Sequence, residues 1–431
     1  MTSNSAVISS KNIENPLKQR GRGKVRKSTS QFAKVATLSL IVWYPLEHLY
    51  AYHSAIGNIP RFMDGVFGLL ELVLSGIFGT ALLILLCRRR HFPLPIVLIS
   101  MFTGFIVITA SWIVFHYLFL EGPRGGMLPF EYYSRILISY LFLFLVGLYA
   151  RPEKWSALWI VLFVLITVNS IVFMDWNRLM IDLRNVIDPS YNGMYLSLST
   201  TAMFAGFFAW SAAKKPSTRT ICLCLLGVVL FIMGSRANFV GFLIVMPVAL
   251  SFTLHRTSQI AFYCIVVFMG VTALFLIDGW EMLSVSRHAQ LFSPSEMTSL
   301  IARNEVLQTG MDGVLQNPIF GHYAGQLEGR GTIGSYIHNW LSVWQAFGII
   351  PFLLFTLLMI SGVVFAFRTF WLFGRRATHL DQLLSVLLLL VTVLVLAAKS
   401  VGWSHISLVW GMLTARFFYP GLSGRFYCTQ R

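Results

Sequence analysis

Apolar runs of about twenty residues, separated by short polar stretches, recur from residue 32 to residue 419. At about 1.5 Å of rise per residue, each is long enough as a helix to cross the ~30 Å hydrocarbon core of a bilayer. Hydrocarbon offers the backbone no water, so such runs must be helical. The pattern predicts twelve spans, at 32–52, 65–87, 94–118, 131–150, 155–174, 192–213, 219–234, 237–254, 259–278, 339–367, 382–399 and 405–419. The fold class that follows is an all-α polytopic membrane protein.

Two connections break the rhythm. One is MDWNRLMIDLRNVIDPSYNG, residues 174–193. The other runs from 279 to 338, between the ninth and tenth spans, and is the only segment large enough for a small subdomain. Within it, Ser293-Pro294-Ser295-Glu296 reads as a helix start, with a serine cap and an early proline. Leu300, Val306, Leu307, Met311, Val314 and Leu315 follow at helical spacing and stop before Pro318. FGHYAGQLEGRGTIG is rich in glycine and reads as loop, and His338 closes it at the mouth of the tenth span. The chain thus divides into a basic tail expected to be disordered (1–31), nine spans (32–278), the large loop (279–338), three spans (339–419) and a short tail (420–431).

Composition agrees with the pattern: 56% of residues are hydrophobic and 12% charged. Charge then orients the chain. With the first thirty residues inside, 23 of the 33 basic residues and three of the 17 acids (Glu14, Glu153, Asp381) fall on the inner face. Short inner loops rich in Lys and Arg are what the positive-inside rule demands, so both termini are expected in the cytoplasm. The net charge of +16 is therefore mostly topology and no sign of nucleic-acid binding, although the tail can touch anionic lipid. No A-x-A-like cleavage site follows the tail, which makes the first span an expected uncleaved anchor. None of the five cysteines falls in an outer loop, so no disulfide framework is implied, and Cys222-x-Cys224 lacks partner ligands for a metal.

Several cationic or titratable positions lie on the outer side. Arg236 sits in the tight turn MGSRANFV, where a cation this near hydrocarbon either snorkels or binds an anion. Arg303 stands on the loop helix, where solvation or a salt bridge is its ordinary reading. Lys399 lies at the outer end of the eleventh span, and His338 taken alone is as well explained as a membrane-edge residue. Together they suit one chemistry. Arginine forks grip phosphate oxygens at two points, and a histidine accepts a proton near neutral pH. With no D-x-D, no H-x-x-x-H and no cysteine–histidine pairing, handling of a diphosphate falls to the arginines rather than to a metal. Asp175, Asp182, Asp188 and Glu328 can orient an acceptor, but salt bridges to Arg178 and Arg184 are the plainer account.

At these residues the chain resembles the O-antigen ligase and polymerase superfamily. The resemblance rests on Ser235-Arg236 in a turn, Arg303 followed by Asn317-Pro318-Ile319-Phe320-Gly321, His338-Asn339 entering a span, and Gly348-Ile349 soon after. It covers residues 235–350; no single motif is specific, and order and spacing carry the match. His322 departs from it, standing where many relatives have a small residue, and competes with His338 for the catalytic role. The resemblance implies a bacterial inner-membrane enzyme with a periplasmic active site that needs no cofactor. It would transfer O-antigen from undecaprenyl diphosphate to a sugar hydroxyl of the lipid A-core. His338 would take the acceptor proton; Arg236 and Arg303, with Lys399, would hold the diphosphate; Asn339 and Arg184 are further candidates. Inversion at the anomeric carbon follows from a single displacement, and the absence of a Walker-type loop agrees with energy drawn from the diphosphate. A polymerase of the same superfamily and a protein O-glycosyltransferase would use the same chemistry on other acceptors. A transporter or flippase would favour midplane charges, broken helices and repeats; here the polar residues cluster at the outer edge and no internal repeat is seen.

Overall fold

The computed structural model describes residues 31–60, 66–88, 93–119, 129–182, 194–255, 257–259, 261–262, 288, 298–325 and 337–418. Residues 1–30 of the basic tail, nearly all of the ninth span, the helix start at Ser293-Pro294-Ser295-Glu296 and the tail at 420–431 lie outside them.

Residues 31–41 are helical and run through a π-helical turn, Val42–Leu46, into α1 (Glu47–Ala55). Pro45 sits in that turn. Proline cannot donate to the α-helical ladder, and the wider turn absorbs the lost bond. Then come α2 (Val66–Arg88), α3 (Pro93–Phe119), α4 (Pro129–Tyr149) and α5 (Ser156–Val172). A small hairpin follows, β1 (Met174–Asp175) against β2 (Met180–Ile181), with Met174 opposite Ile181. After it come α6 (Met194–Ala212), α7 (Pro216–Ile232) and α8 (Arg236–Thr253). The last part holds α9 (Thr298–Gln316), α10 (Leu341–Phe347), α11 (Ile349–Leu372), α12 (His379–Ala397) and α13 (His405–Phe418).

This is a helical, multi-pass membrane protein. Among the described residues, five helices are long and apolar enough to cross a bilayer: Ile96–Phe119, Pro129–Tyr149, Arg236–Thr253, Ile349–Leu372 and His379–Ala397. These helices and their neighbours carry apolar stripes outward. On α11, Leu353, Leu357, Ile360, Val364 and Phe367 are exposed at helical spacing, and on α5 so are Val161, Leu165, Val168 and Val172. In water such stripes would be aggregation sites; in hydrocarbon they are the ordinary outer face. The interior is built around α6, whose residues 198–210 are buried without a break. A helix enclosed on every side touches no lipid and so tolerates Ser199, Thr200 and Thr201.

α4 and α13 cross closely: a Cβ on Gly147 would collide with the Leu408 carbonyl and one on Gly411 with the Phe144 carbonyl. Small residues at such a crossing let two backbones approach, which is how helices associate where burial gives no hydrophobic gain.

Two expectations need correction. The tenth stretch, 339–367, is not one helix, because it breaks between α10 and α11 at Gly348 (φ +83°). Lys399 is not on the eleventh helix either: α12 ends at Ala397, and Lys399 begins the connection to α13. The helix expected to stop before Pro318 does so, at Gln316.

Candidate functional site

The break at Gly348 is made by the Asn317–Gly321 turn pressing against it. After α9 ends, Gly321 N–H donates to the Asn317 carbonyl at 2.7 Å and closes the turn. Ile349 N–H then donates to the Ile319 carbonyl (3.1 Å), His322 N–H to that of Gln345 (2.6 Å), and the Trp344 indole to that of Pro318 (2.7 Å). A Cβ on Gly321 (φ +74°) would lie 2.5 Å from the Trp344 carbonyl oxygen, and one on Gly348 would strike that of Ile319. Left-handed backbone and close approach both require glycine here. The N-P-x-x-G and G-I pairs, 27 residues apart, are two halves of one joint.

That joint sets α9 against α10 and so fixes Arg303 relative to His338. Gly310 of α9 faces Ile337 and Gln345; a Cβ there would meet Ile337 Cγ1 at 2.6 Å. Arg303 is seven residues earlier, two turns along the same face of α9. On the His338 side, Ile337 N–H donates to Gln345 Oε1 at 3.1 Å. Asn339 Oδ1 accepts the Leu341 N–H (3.0 Å), and its carbonyl accepts the Ser342 hydroxyl (2.7 Å). Ser342 Oγ also accepts the Val401 N–H at 2.7 Å, tying this turn to the connection that carries Lys399. Asn339 therefore shapes the turn that presents His338.

The outcome is electrostatic. His338 is half-buried, and burial, then the nearby charges of Arg303 and Lys399, push its imidazole below its ordinary pKa. Lys399 is pushed down to about 8, by burial first and then by Arg303. No carboxylate among the described residues pairs with the side chains of Arg303 or Lys399. Lys399 Nζ lies over the Trp403 ring, 5.6 Å from its centroid. Trp403 in turn meets His405 (5.4 Å between centroids), whose Nδ1 is 3.1 Å from the Tyr44 hydroxyl. These supporting residues escaped the sequence reading, since Tyr44 is 361 positions from its partner. Like charges gathered in a half-buried corner favour an anion and a neutral histidine.

Arg236 reaches the same end by a different helix. It is the first residue of α8, half-buried, behind Ser235, whose hydroxyl is fully buried with no hydrogen-bond partner. α8 runs antiparallel to α12: Gly241 abuts Leu394, while at the far ends Arg375 Nη1 donates to His255 Nδ1 at 2.7 Å. Arg236 and Lys399 each stand five residues beyond the Gly241–Leu394 contact, about 7 Å along the axis, on the same side. So His338, Arg303 and Lys399 converge, and Arg236 is level with them on the neighbouring helix.

The remaining candidates fare differently. The His322 ring is wedged between Gly313 and Gly325, where a Cβ on either would collide with its Nδ1. It packs the N-P-x-x-G loop on α9, and the glycine at each side is what makes room for a histidine. Arg184, Asp188 and Glu328 lie outside the described residues. Asp175 meets Arg178 at 3.9 Å and accepts the Asn177 N–H at 3.0 Å, so it serves the hairpin turn. Among the described residues no three His, Cys, Asp or Glu side chains gather into a metal-binding group. A cavity of about 250 Å³, lined by Arg151, Glu153, Thr378, His379 and Arg416, lies at the opposite end of α12, about 28 Å of helix from Lys399.

The chain matches no protein-family model and no curated protein sequence.

Proposed function

We propose that this chain is a glycosyltransferase of the O-antigen ligase type. It moves a glycan from undecaprenyl diphosphate to a lipid A-core hydroxyl on the periplasmic side of the bacterial inner membrane. The reading includes twelve spans, cytoplasmic termini and a large periplasmic loop before the tenth span. The observation that carries it is the gathering of Arg303 and Lys399 around a histidine held below its ordinary pKa.

The chemistry follows from that arrangement. His338, neutral at pH 7, accepts the proton of the acceptor hydroxyl as its oxygen attacks the anomeric carbon. The C–O bond to the diphosphate breaks on the opposite face, so the product is inverted and no sugar is held covalently. Negative charge grows on the leaving diphosphate, where Arg303, Lys399 and Arg236 neutralise it without reorganising. These cations take the part a metal ion plays at other diphosphate sites. A bound diphosphate also relieves the repulsion among them, so donor binding raises the Lys399 pKa.

The deciding experiment is transfer in vitro from purified carrier-linked glycan to lipid A-core. His338→Ala and Arg303→Ala proteins that insert normally should lose it. Near-wild-type transfer by His338→Ala would remove the base assignment. A longer carrier-linked chain or a glycoprotein as product would assign the polymerase or protein-transferase reaction instead.

A further inference from the structure

The far end of the bundle holds a cation that the proposed reaction does not use. Arg219, in the first turn of α7, is 4% exposed, and its Nε and Nη2 are buried with no hydrogen-bond partner. Its guanidinium carbon lies over the Trp210 ring, 4.2 Å from the centroid, and no carboxylate among the described residues pairs with it. Its charge reaches the His379 imidazole, whose Nδ1–H donates to the Ser211 carbonyl at 3.1 Å. Exposed Lys214 and Lys215 precede α7. His379 also borders the 250 Å³ cavity, which Arg151, Glu153, Thr378 and Arg416 line with it, Arg416 being paired with Asp381, and where Leu380, Met412 and Ala415 form an apolar wall.

A stacked guanidinium with two orphaned nitrogens is costly to bury unless an anion completes it. Its planar fork suits two oxygens of one phosphate. We propose that Arg219, His379 and the cavity beside them form a binding site for a phosphate group, separate from the His338 site. The apolar wall beside the cations fits the phosphodiester of an anionic phospholipid in the adjacent leaflet. Inorganic phosphate shares the same chemistry and is the other possible source. The assignment does not depend on the transferase reading.

The test is native mass spectrometry on delipidated full-length protein, offered phosphatidylglycerol, phosphatidylcholine or inorganic phosphate in turn. Wild-type protein should retain phosphatidylglycerol over phosphatidylcholine, and Arg219→Gln should bind it roughly tenfold more weakly. Arg219→Lys, which keeps charge and loses the fork, and His379→Gln should each weaken it by less, and both remain readable if Arg219→Gln does not insert. Retention of inorganic phosphate with the same dependence on Arg219 would support the site and assign it to a soluble anion. Equal retention by wild type, Arg219→Lys and His379→Gln, or retention of none of the probes, would overturn the proposal.

Discussion

At the His379 end of α12, Arg416 is gripped by Asp381: Nη2 donates to Oδ2 at 3.0 Å and Nε to Oδ1. The same carboxylate accepts the Thr378 hydroxyl at 2.8 Å, while Asp381 N–H donates back to that hydroxyl at 3.2 Å. That ion pair is complete within the chain. Past the other end of α12, Lys399 and Arg303 lie close enough to depress each other's neighbour, His338, with no carboxylate among the described residues to relieve them. One helix thus joins a closed arginine–carboxylate pair to two cations that have no such partner among the described residues. The paired end is a structural clamp. Under the proposed function, the other end stores repulsion that an arriving anion discharges, which would separate a site from a brace where both are rich in arginine.

The sharpest way to break this contrast is at His338, the proposed base. His338→Gln should lower the rate of transfer by about 10²–10⁴-fold with little change in thermal stability. Donor binding by His338→Gln, read by retention of undecaprenyl diphosphate, should stay within a few-fold of wild type. A loss of binding as large as the loss of rate would make His338 a binding residue instead.

Next comes the joint. Gly348→Ala places a Cβ in left-handed backbone against the Ile319 carbonyl. It should cost roughly 1–3 kcal/mol and take transfer down with it, because His338 and Arg303 lose their common frame. Full activity with a lowered unfolding temperature would uncouple the joint from the site. At the clamp, Asp381→Asn should behave in the opposite way, losing roughly 2–3 kcal/mol by denaturation while transfer per folded molecule holds. A selective loss of turnover in Asp381→Asn would erase the distinction between the two ends.

Acidity gives a finer test. Lys399 is held down to about 8 in the folded chain and returns to its ordinary value of about 10.5 when unfolded. The unfolded chain then holds more protons between those values, so the stability of donor-free protein should rise with pH across that window. Donor affinity should fall over the same interval, as the cation it needs is lost, and Lys399→Arg should flatten both curves. Affinity that increases above pH 8 would place Lys399 off the donor. The smallest effect is expected at His322: His322→Asn should leave transfer within about threefold of wild type, the change being confined to packing between Gly313 and Gly325.

The sequence pointed to His338, Arg303, Lys399 and Arg236 because each is a polar or cationic residue beside an apolar run, where charge is costly and so informative. It offered the N-P-x-x-G and G-I pairs only as parts of a resemblance, and the structure makes them the two faces of a backbone joint. It also treated Asn339 as a possible ligand, although its Oδ1 is spent on the Leu341 N–H. Trp403, His405, Tyr44 and Gln345 carried no signal, since aromatic and polar residues at helix ends are common and their partners lie far along the chain.

By itself the amino-acid order determined where helices form and that a bilayer surrounds them, because both depend on local runs of apolar residues and on backbone bonds closed within four residues. Which charged groups meet, which glycine breaks a helix and which histidine is merely packed were decided by tertiary structure. Those outcomes depend on contacts between positions such as Gly310 and Ile337, or Ser342 and Val401, whose approach is set by how whole helices pack.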